Sequence, residues 1–231
     1  MKLQRFFVNE RLLEGEEVQI NDVDFVHQIF HVFRKRVGSE IILLDNFGFE
    51  FLSEIKGLSK KEVNVKILNK KYVENICKNE VILFASLIKK DKFEWVLEKC
   101  TELGVSKFIP IISERSEKKG LNIERARKII KEASEQSERG LMPEICEPIS
   151  LEDVLVDLNC EAIALHLSGE RFDSSKLNNI SKLGLFVGPE GGWGENDIEL
   201  FKKSNVELIT LGSQVLRAET ASVAACAKLL L

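Results

Sequence analysis

The feature that most constrains the fold is the regular alternation of apolar runs with amphipathic segments in the last two thirds of the chain. Short runs rich in Val, Ile, Leu and Phe predict buried strands, and apolar residues spaced i, i+3 and i+4 predict helices. Such alternation is typical of a parallel sheet with helices on its faces. The predicted strands are residues 81–87, 107–112, 162–167, 185–187 and 206–211, and the predicted helices are residues 92–103, 122–138 and 220–231.

The first 70 residues follow a different pattern, in which several short strands surround a single helix that Asn21 or Asp22 can cap. This pattern predicts a small β-barrel. The polar stretch 69–71 predicts a boundary, so that residues 1–70 form one domain and residues 71–231 a second. The predicted strands of the first domain are residues 3–8, 41–44, 49–55 and 63–68.

The composition is that of an ordinary soluble protein, with 44% hydrophobic and 30% charged residues among 231. No apolar run is long enough for a transmembrane helix, so no membrane contact is expected. His27 and His31 are spaced i, i+4 but lack a third ligand nearby, and no metal site is predicted. The five cysteines form no C-x-x-C pair, which indicates reduced thiols in a cytoplasmic protein: Cys77, Cys100, Cys146, Cys160 and Cys226.

The net charge of −4 hides an uneven distribution along the chain. Residues 1–70 contain 11 basic and 11 acidic side chains, residues 71–140 contain 15 and 12, and residues 141–231 contain 7 and 14. An anionic partner is therefore expected to meet the first two thirds of the chain. A solvated mixed surface explains the charge pattern equally well.

Three segments follow predicted strands of the second domain, where parallel sheets bind their ligands. They are the loop after residues 165–167, the turn at residues 188–194 and the segment of residues 211–220. The second contains four glycines in seven residues, which allow a ligand to approach the backbone closely. A tight turn is the simpler alternative. The glycine spacing does not match a dinucleotide-binding fingerprint, and no P-loop lysine is present, so neither function is predicted.

These segments resemble the RsmE family of SPOUT-class RNA methyltransferases. The resemblance is carried by Val-Gly-Pro-Glu-Gly-Gly at 187–192, Leu-Gly at 211–212 and Leu-Arg-Ala-Glu-Thr at 216–220. Further similar stretches are Arg-Phe-Phe-Val at 5–8, the segment from Asp91 to Val105, and Ser-Glu-Arg-Ser at 113–116. The ordered set spans nearly the whole chain, which makes it far more specific than the glycine turn alone.

The resemblance implies a PUA-like β-barrel followed by an α/β SPOUT domain whose C-terminal part forms a trefoil knot. It also implies an S-adenosyl-L-methionine-dependent enzyme that acts as a homodimer and methylates N3 of a uridine in small-subunit (16S) ribosomal RNA, free or in the assembled 30S subunit. Two alternatives remain open: a SPOUT enzyme that methylates a ribose 2′-oxygen, and a non-catalytic RNA-binding assembly factor.

The cofactor loops are carried over from the family by position, and the roles of the charged residues follow from their chemistry and from the charge distribution. Arg217 is expected to stabilise charge on the substrate, and Glu219 to accept a proton, or instead to pair with Arg217 or cap the last helix. Glu190 has the same ambiguity. RNA contacts are expected at Arg5, Arg34, Arg36, Arg115 and Arg139. Cofactor contacts are expected at Leu165, His166, Leu167, Gly188, Pro189, Glu190, Gly191, Gly192, Leu211, Gly212, Leu216 and Thr220.

The chain departs from the family pattern where Trp193-Gly194 replaces the usual Phe-Ser. The indole of Trp193 is expected to fill the same apolar site. Gly194 lacks the hydroxyl that would cap the following helix, which leaves Asn196 or the turn itself to satisfy the first amides.

Overall fold

The structure is a computed structural model that describes residues 3–73, 80–117, 120–173 and 180–231. Cys77 and the other residues between these ranges lie outside the described part. Residue contacts divide the chain into two compact units. Unit 1 comprises Met1–Ile76 and Ser134–Met142, and unit 2 comprises Cys77–Ala133 and Pro143–Leu231.

Unit 1 is built on a five-stranded mixed sheet in the order β1-β3-β4-β5-β2. β1 and β3 pair in parallel, and the other pairs are antiparallel. Alternate residues of the long strands point into one apolar core around Phe6, Phe25, Ile29 and Phe51. The strands are β1 (Arg5–Phe7), β2 (Glu17–Ile20), β3 (Glu40–Leu44), β4 (Phe49–Leu58) and β5 (Val63–Tyr72).

The predicted helix of unit 1 is α1 (Val23–His27), and Asp22 caps it by accepting a hydrogen bond from the Phe25 amide at 2.8 Å. A π-helical turn at Gln28–Val32 continues it. Arg34 follows the end of this turn in a left-handed conformation with a φ of 49°, and the Lys35 amide donates back to the Ile29 carbonyl at 3.0 Å.

The boundary of unit 1 differs from the predicted one in two respects. β5 runs to Tyr72 and passes through the polar residues 69–71, which pair with β4 as ordinary ladder positions. Residues 134–142 also return to unit 1, where the Phe7 amide donates to Glu135 at 2.9 Å and the Met142 amide donates to Asn46 at 2.7 Å. These contacts join residues far apart in sequence, so no local pattern predicted them.

Unit 2 contains a seven-stranded sheet in which all pairs are parallel, in the order β12-β10-β11-β6-β7-β8 with β9 also beside β7. This confirms the predicted parallel α/β architecture. The strands are β6 (Glu80–Ser86), β7 (Lys107–Ile112), β8 (Glu144–Ile145), β9 (Ile149–Ser150), β10 (Glu161–Arg171), β11 (Lys182–Val187) and β12 (Glu207–Thr210).

The helices of unit 2 include the three whose ranges were predicted, the helix expected after Gly194, and a short helix that was not predicted. Asn122 caps the second predicted helix by accepting from the Arg125 amide at 2.9 Å, and Gly104 ends the first with a φ of 112°. No helix in the described ranges has the length and apolar character needed to cross a membrane. The helices are α2 (Lys90–Leu103), α3 (Ile123–Gln136), α4 (Leu151–Val156), α5 (Glu195–Lys203) and α6 (Ala218–Leu230).

β10 is longer than predicted and contains a wide bulge. Leu165 and Glu170 both align with Ile209 of β12, so residues 166–169 loop out of the ladder. Gly169 is required there, because a Cβ would lie 2.5 Å from the backbone of Ile209. His166 and Leu167 lie in this bulge, outside the ladder of strand hydrogen bonds. The trefoil knot implied by the resemblance stays a prediction.

Candidate active site

A cleft of about 920 Å³ lies beyond the carboxyl ends of β6, β11 and β12 and beside the bulge of β10. All three segments that the sequence singled out line it, together with Arg217 and Glu219. Thr220 is exposed on α6 and does not line the cleft. The lining residues that match the predicted cofactor contacts are Leu165, His166, Leu167, Gly188, Pro189, Glu190, Gly191, Gly192, Leu211, Gly212 and Leu216.

The glycine loop, residues 188–194, forms one wall of the cleft. Its turn is closed by a hydrogen bond of 2.9 Å from the Gly192 amide to the Pro189 carbonyl, and Gly192 adopts a left-handed φ of 68°. A Cβ on Gly188 would lie 3.1 Å from the ring of Trp193. The backbone conformation therefore favours glycine at 192, and a side chain at 188 would press tightly against the indole of Trp193.

Trp193 anchors the glycine loop. Its side chain is 5% exposed, and its ring packs edge-on against Phe201 with centroids 4.8 Å apart. The indole Nε1 donates to the carbonyl of Leu165 at 2.9 Å, which joins the loop to the start of the β10 bulge. The indole thus fills an apolar site among the buried residues of the unit 2 core.

The start of α5 is capped by two carboxylates, which corrects the expectation that Asn196 or the turn would suffice. The Gly194 amide donates to Asp197 at 2.9 Å, and the Asn196 amide donates to Glu114 at 3.1 Å. A Cβ on residue 194 would lie 2.1 Å from a carboxylate oxygen of Glu114. Glycine at this position therefore makes room for a cap supplied from elsewhere in the chain.

The loop from 211 to 217 also lines the cleft, and among the described residues its side chains are less firmly held than those of the glycine loop. The Thr210 hydroxyl donates to the Gly212 carbonyl at 2.8 Å where the loop begins. Val215 and Leu216 are 79% and 39% exposed, respectively, although both are apolar and line the cleft. Such exposure at a concave site is typical of residues that contact a ligand or partner.

Arg217 and Glu219 lie at the start of α6, where the loop ends. Arg217 is the N-cap residue and is exposed at the cleft. Glu219 is buried and pairs with Lys92 of α2, with 3.0 Å between Nζ and Oε1. Glu219 thus pairs with Lys92, whereas the sequence suggested Arg217 as a possible partner.

The charge state of Glu219 follows from opposing effects. Burial would raise the pKa of its carboxyl group, but the hydrogen bond from Lys92, the bond from its own amide and the charges of Lys92 and Arg217 lower it below the ordinary value of 4.5. Glu219 is therefore ionised at neutral pH and is a weak proton acceptor.

Sequence reasoning missed two lysines of the cleft, Lys89 and Lys92. Both follow β6, so the rule that ligands bind beyond the carboxyl ends of strands would have identified their loop as well. With Arg115 and Arg217 they give the cleft four cations, against the carboxylates of Glu117, Glu190 and Glu219. The Lys89 amide also donates to Glu190 at 3.4 Å, which favours a structural role for that carboxylate.

The other predicted RNA contacts, Arg5, Arg34, Arg36 and Arg139, belong to unit 1. Arg5 is mostly buried and pairs with Glu50 at 3.5 Å and Glu138 at 3.2 Å. Arg34 and Arg36 are exposed in the turn after the π-helical segment. Arg139 donates to the Leu141 carbonyl at 3.1 Å. Within the described residues, no group of three or more His, Cys, Asp or Glu side chains is arranged to hold a metal ion.

The fold and cleft match an established class of enzymes. The RNA methyltransferase domain family matches residues 75–230, and the RNA methyltransferase PUA domain family matches residues 20–68. The chain is thus an RNA methyltransferase with an N-terminal PUA-like domain and a parallel α/β catalytic domain.

Individual relatives narrow this class. The chain is 34% identical to ribosomal RNA small subunit methyltransferase E of Rickettsia conorii, covering 99% of this chain and 95% of the relative. It is 31% identical to the Bacillus subtilis protein of the same name, covering 95% and 93%. It belongs to the ribosomal RNA small subunit methyltransferase E family, which confirms the family resemblance.

A solved structure agrees with this assignment. The Neisseria gonorrhoeae ribosomal RNA small subunit methyltransferase E, bound to S-adenosylmethionine, superimposes with a TM-score of 0.91 at 28% identity. The alignment covers 98% of this chain and 96% of that one.

Proposed function

We propose that this protein transfers a methyl group from S-adenosylmethionine to N3 of a uridine in small-subunit (16S) ribosomal RNA, acting as a homodimer in the cytoplasm. The observation that carries the proposal is the meeting of three separate loops with Arg217 in one cleft. The names of the relatives support small-subunit ribosomal RNA as the substrate, and the Neisseria structure supports the cofactor.

The residues of the cleft suit S-adenosylmethionine. A volume of about 920 Å³ is within the range of small-molecule sites. Leu165, Leu211 and Leu216 offer apolar contact for an adenine ring, and the glycine loop offers backbone groups without side-chain obstruction. When bound, the cofactor supplies an electrophilic methyl group on a sulfonium centre.

Arg217 is the group best suited to stabilise the substrate. Uridine N3 carries a weakly acidic proton, and its loss leaves negative charge on the ring that includes the two carbonyl oxygens. The guanidinium of Arg217 remains charged at any relevant pH and can donate to such an oxygen from the rim of the cleft.

Glu219 is better suited to hold charge than to remove a proton. Its lowered pKa makes it a weak base, and its ion pair with Lys92 fixes an ammonium group at the cleft. The sequence suggested Glu219 as a catalytic residue. We assign it instead a positioning role, in which it orients Lys92 and the start of α6.

Contact with RNA is proposed for Arg34, Arg36 and Arg139 of unit 1, where the first two side chains are exposed. Arg5 is less suited, because its guanidinium is occupied by two carboxylates. Phosphate contacts by these cations would make RNA binding weaken as the salt concentration rises.

The homodimer is supported by apolar residues exposed around the cleft. Leu167 is 57% exposed and Val215 is 79% exposed. Apolar side chains clustered at the edge of a functional site are typical of a surface covered by a partner. Sedimentation of the pure protein tests this part of the proposal, and a monomer at micromolar concentration would contradict it.

The decisive experiment is methyl transfer from labelled S-adenosylmethionine to small subunits that lack the modification, followed by mass spectrometric mapping. Base methylation on a uridine supports the proposal, and ribose methylation would overturn it. Arg217→Ala is expected to reduce turnover by about 10²–10³-fold while calorimetric cofactor binding is largely retained. Arg127→Ala, on the exposed surface of α3, is the matched control and should retain full activity.

A further inference from the structure

The turn that follows β7, residues 113–116, contacts the glycine loop at several points. Arg115 Nη1 donates to the Gly191 carbonyl at 3.0 Å. The Asn196 amide donates to Glu114 at 3.1 Å, and the Glu114 amide donates to Asp197 at 3.2 Å. These bonds begin in the middle of the glycine loop and extend to the first turn of α5.

This turn is itself attached firmly to the sheet. The Ser113 amide donates to the Ser116 hydroxyl at 3.0 Å, and the Ser116 amide donates to the Ser113 carbonyl at 3.1 Å. The Ser113 hydroxyl also lies 3.2 Å from the hydroxyl of Ser86, at the end of β6, and both serines are buried. Arg115 and Glu114 are therefore presented from a rigid support rather than from a free loop.

The glycine loop is shaped to receive these two side chains. A Cβ on Gly194 would overlap the Glu114 carboxylate, and a Cβ on Gly191 would lie 3.6 Å from Arg115 Cβ. The contact at Gly194 thus depends on the missing side chain, while the contact at Gly191 is of ordinary length. Glycine at 194 has no side chain to cap α5, and the carboxylate of Glu114 supplies that cap instead.

We infer that Glu114 and Arg115 are positioning residues that hold the glycine loop in the shape that binds the cofactor. The inference rests on the proposed binding of S-adenosylmethionine in this cleft. It gives Arg115 a different role from the RNA contact expected from the sequence, because its guanidinium is directed at a backbone carbonyl of the cofactor wall. If the glycine loop leaves this shape in most molecules, only a fraction of the protein can bind S-adenosylmethionine. The apparent dissociation constant then rises in inverse proportion to that fraction.

The test compares Arg115→Ala with wild-type protein by calorimetric titration of S-adenosylmethionine. We expect the dissociation constant to rise about tenfold, which corresponds to about 1.4 kcal/mol. In cofactor-free protein, amide hydrogen exchange in residues 188–197 is expected to accelerate. Arg127→Ala removes the same charge from an exposed ion pair with Glu124 on α3 and is expected to change neither quantity.

RNA binding supplies the opposing outcome. If Arg115 is instead a phosphate contact, Arg115→Ala will leave the cofactor affinity unchanged. It will instead reduce the slope of log K for ribosomal RNA binding against log salt concentration by about one. That result would overturn the inference. Failure of the wild-type protein to bind S-adenosylmethionine would contradict the proposed function instead, so the two failures are distinguishable.

A second pair of variants tests Glu114 without altering Arg115. Glu114→Ala and Gly194→Ala are each expected to accelerate exchange of the Asn196 amide, because one removes the carboxylate and the other displaces it with a Cβ that supplies no replacement cap. In a double-mutant cycle, Glu114→Ala should have little further effect when alanine is already at 194. Fully additive effects would contradict the proposed contact.

Discussion

The two walls of the cleft differ in how firmly they are attached to the rest of unit 2. The glycine loop is anchored by the buried indole of Trp193, by Arg115 and by the two carboxylates at the start of α5. The loop from 211 to 217 has a local contact between Thr210 and Gly212 and exposes Val215 and Leu216. Among the described residues the glycine loop is therefore the more firmly attached of the two, and we expect the 211–217 loop to adjust more easily.

This difference suggests a division of work within the site. A ligand can only shift a segment that has more than one accessible conformation, and segments with few buried contacts open at low cost. The anchored wall is suited to fix the position of a small molecule. The 211–217 loop, which leads to Arg217, is suited to respond when a ligand or partner arrives.

The largest effect is expected from removing the anchor of the fixed wall. Trp193→Ala deletes a buried aromatic side chain and leaves a cavity beside Phe201, which should lower the free energy of unfolding by about 3–5 kcal/mol. Trp193→Phe keeps most of the packing and loses the bond to Leu165, at a cost of about 1 kcal/mol. Urea denaturation measures both. A loss below about 1 kcal/mol for Trp193→Ala would remove the basis of the comparison.

The second largest effect is expected from Lys92→Met. This substitution removes the ion pair between Lys92 of α2 and Glu219, which lies where the 211–217 loop joins α6. The lowered pKa of Glu219 means that the pair stabilises the fold above pH 4.5 and that this contribution is lost as pH falls through the lowered value. Lys92→Met should cost on the order of 1 kcal/mol at neutral pH, since the lysine is partly exposed.

Measurement of unfolding from pH 7 to pH 3 tests the sign. The difference between wild-type and Lys92→Met proteins should shrink as Glu219 becomes protonated in both. Lys99→Met, on the same helix, is the matched control, because Lys99 pairs with the more exposed Glu98 and Glu102. A constant difference across the pH range would show that Lys92 acts through packing alone.

The anchored and open walls were not equally predictable from the sequence. The loops themselves were found because ligands bind at the carboxyl ends of parallel strands and because 187–192 and 216–220 match a family pattern. The parallel sheet followed from alternating apolar runs. Capping by Asp22 and Asn122 was also predictable, because an N-cap acts on an amide three residues away.

What the sequence did not predict are contacts between distant positions. Glu114 and Asp197 are 83 residues apart, and Arg115 and Gly191 are 76 apart, so no local period relates them. The partner of Glu219 was expected at Arg217 because the two are close in sequence, but Lys92 reaches it across the α2–α6 packing. The bulge in β10 was missed because the apolar pattern ends at Leu167. The sequence therefore predicted the end of the strand there, although the strand resumes pairing at Glu170.

The smallest effect is expected on the open wall, where Val215→Ala removes a side chain that is 79% exposed. The free energy of unfolding of a single subunit should change by less than about 0.5 kcal/mol, because this side chain has little packing to lose within its own subunit. If this wall closes on a ligand, the same variant should weaken S-adenosylmethionine binding measurably although stability is unchanged. The reverse pattern, a loss of stability with unchanged binding, would show that the 211–217 loop is as firmly packed as the glycine loop and that the two walls do not differ.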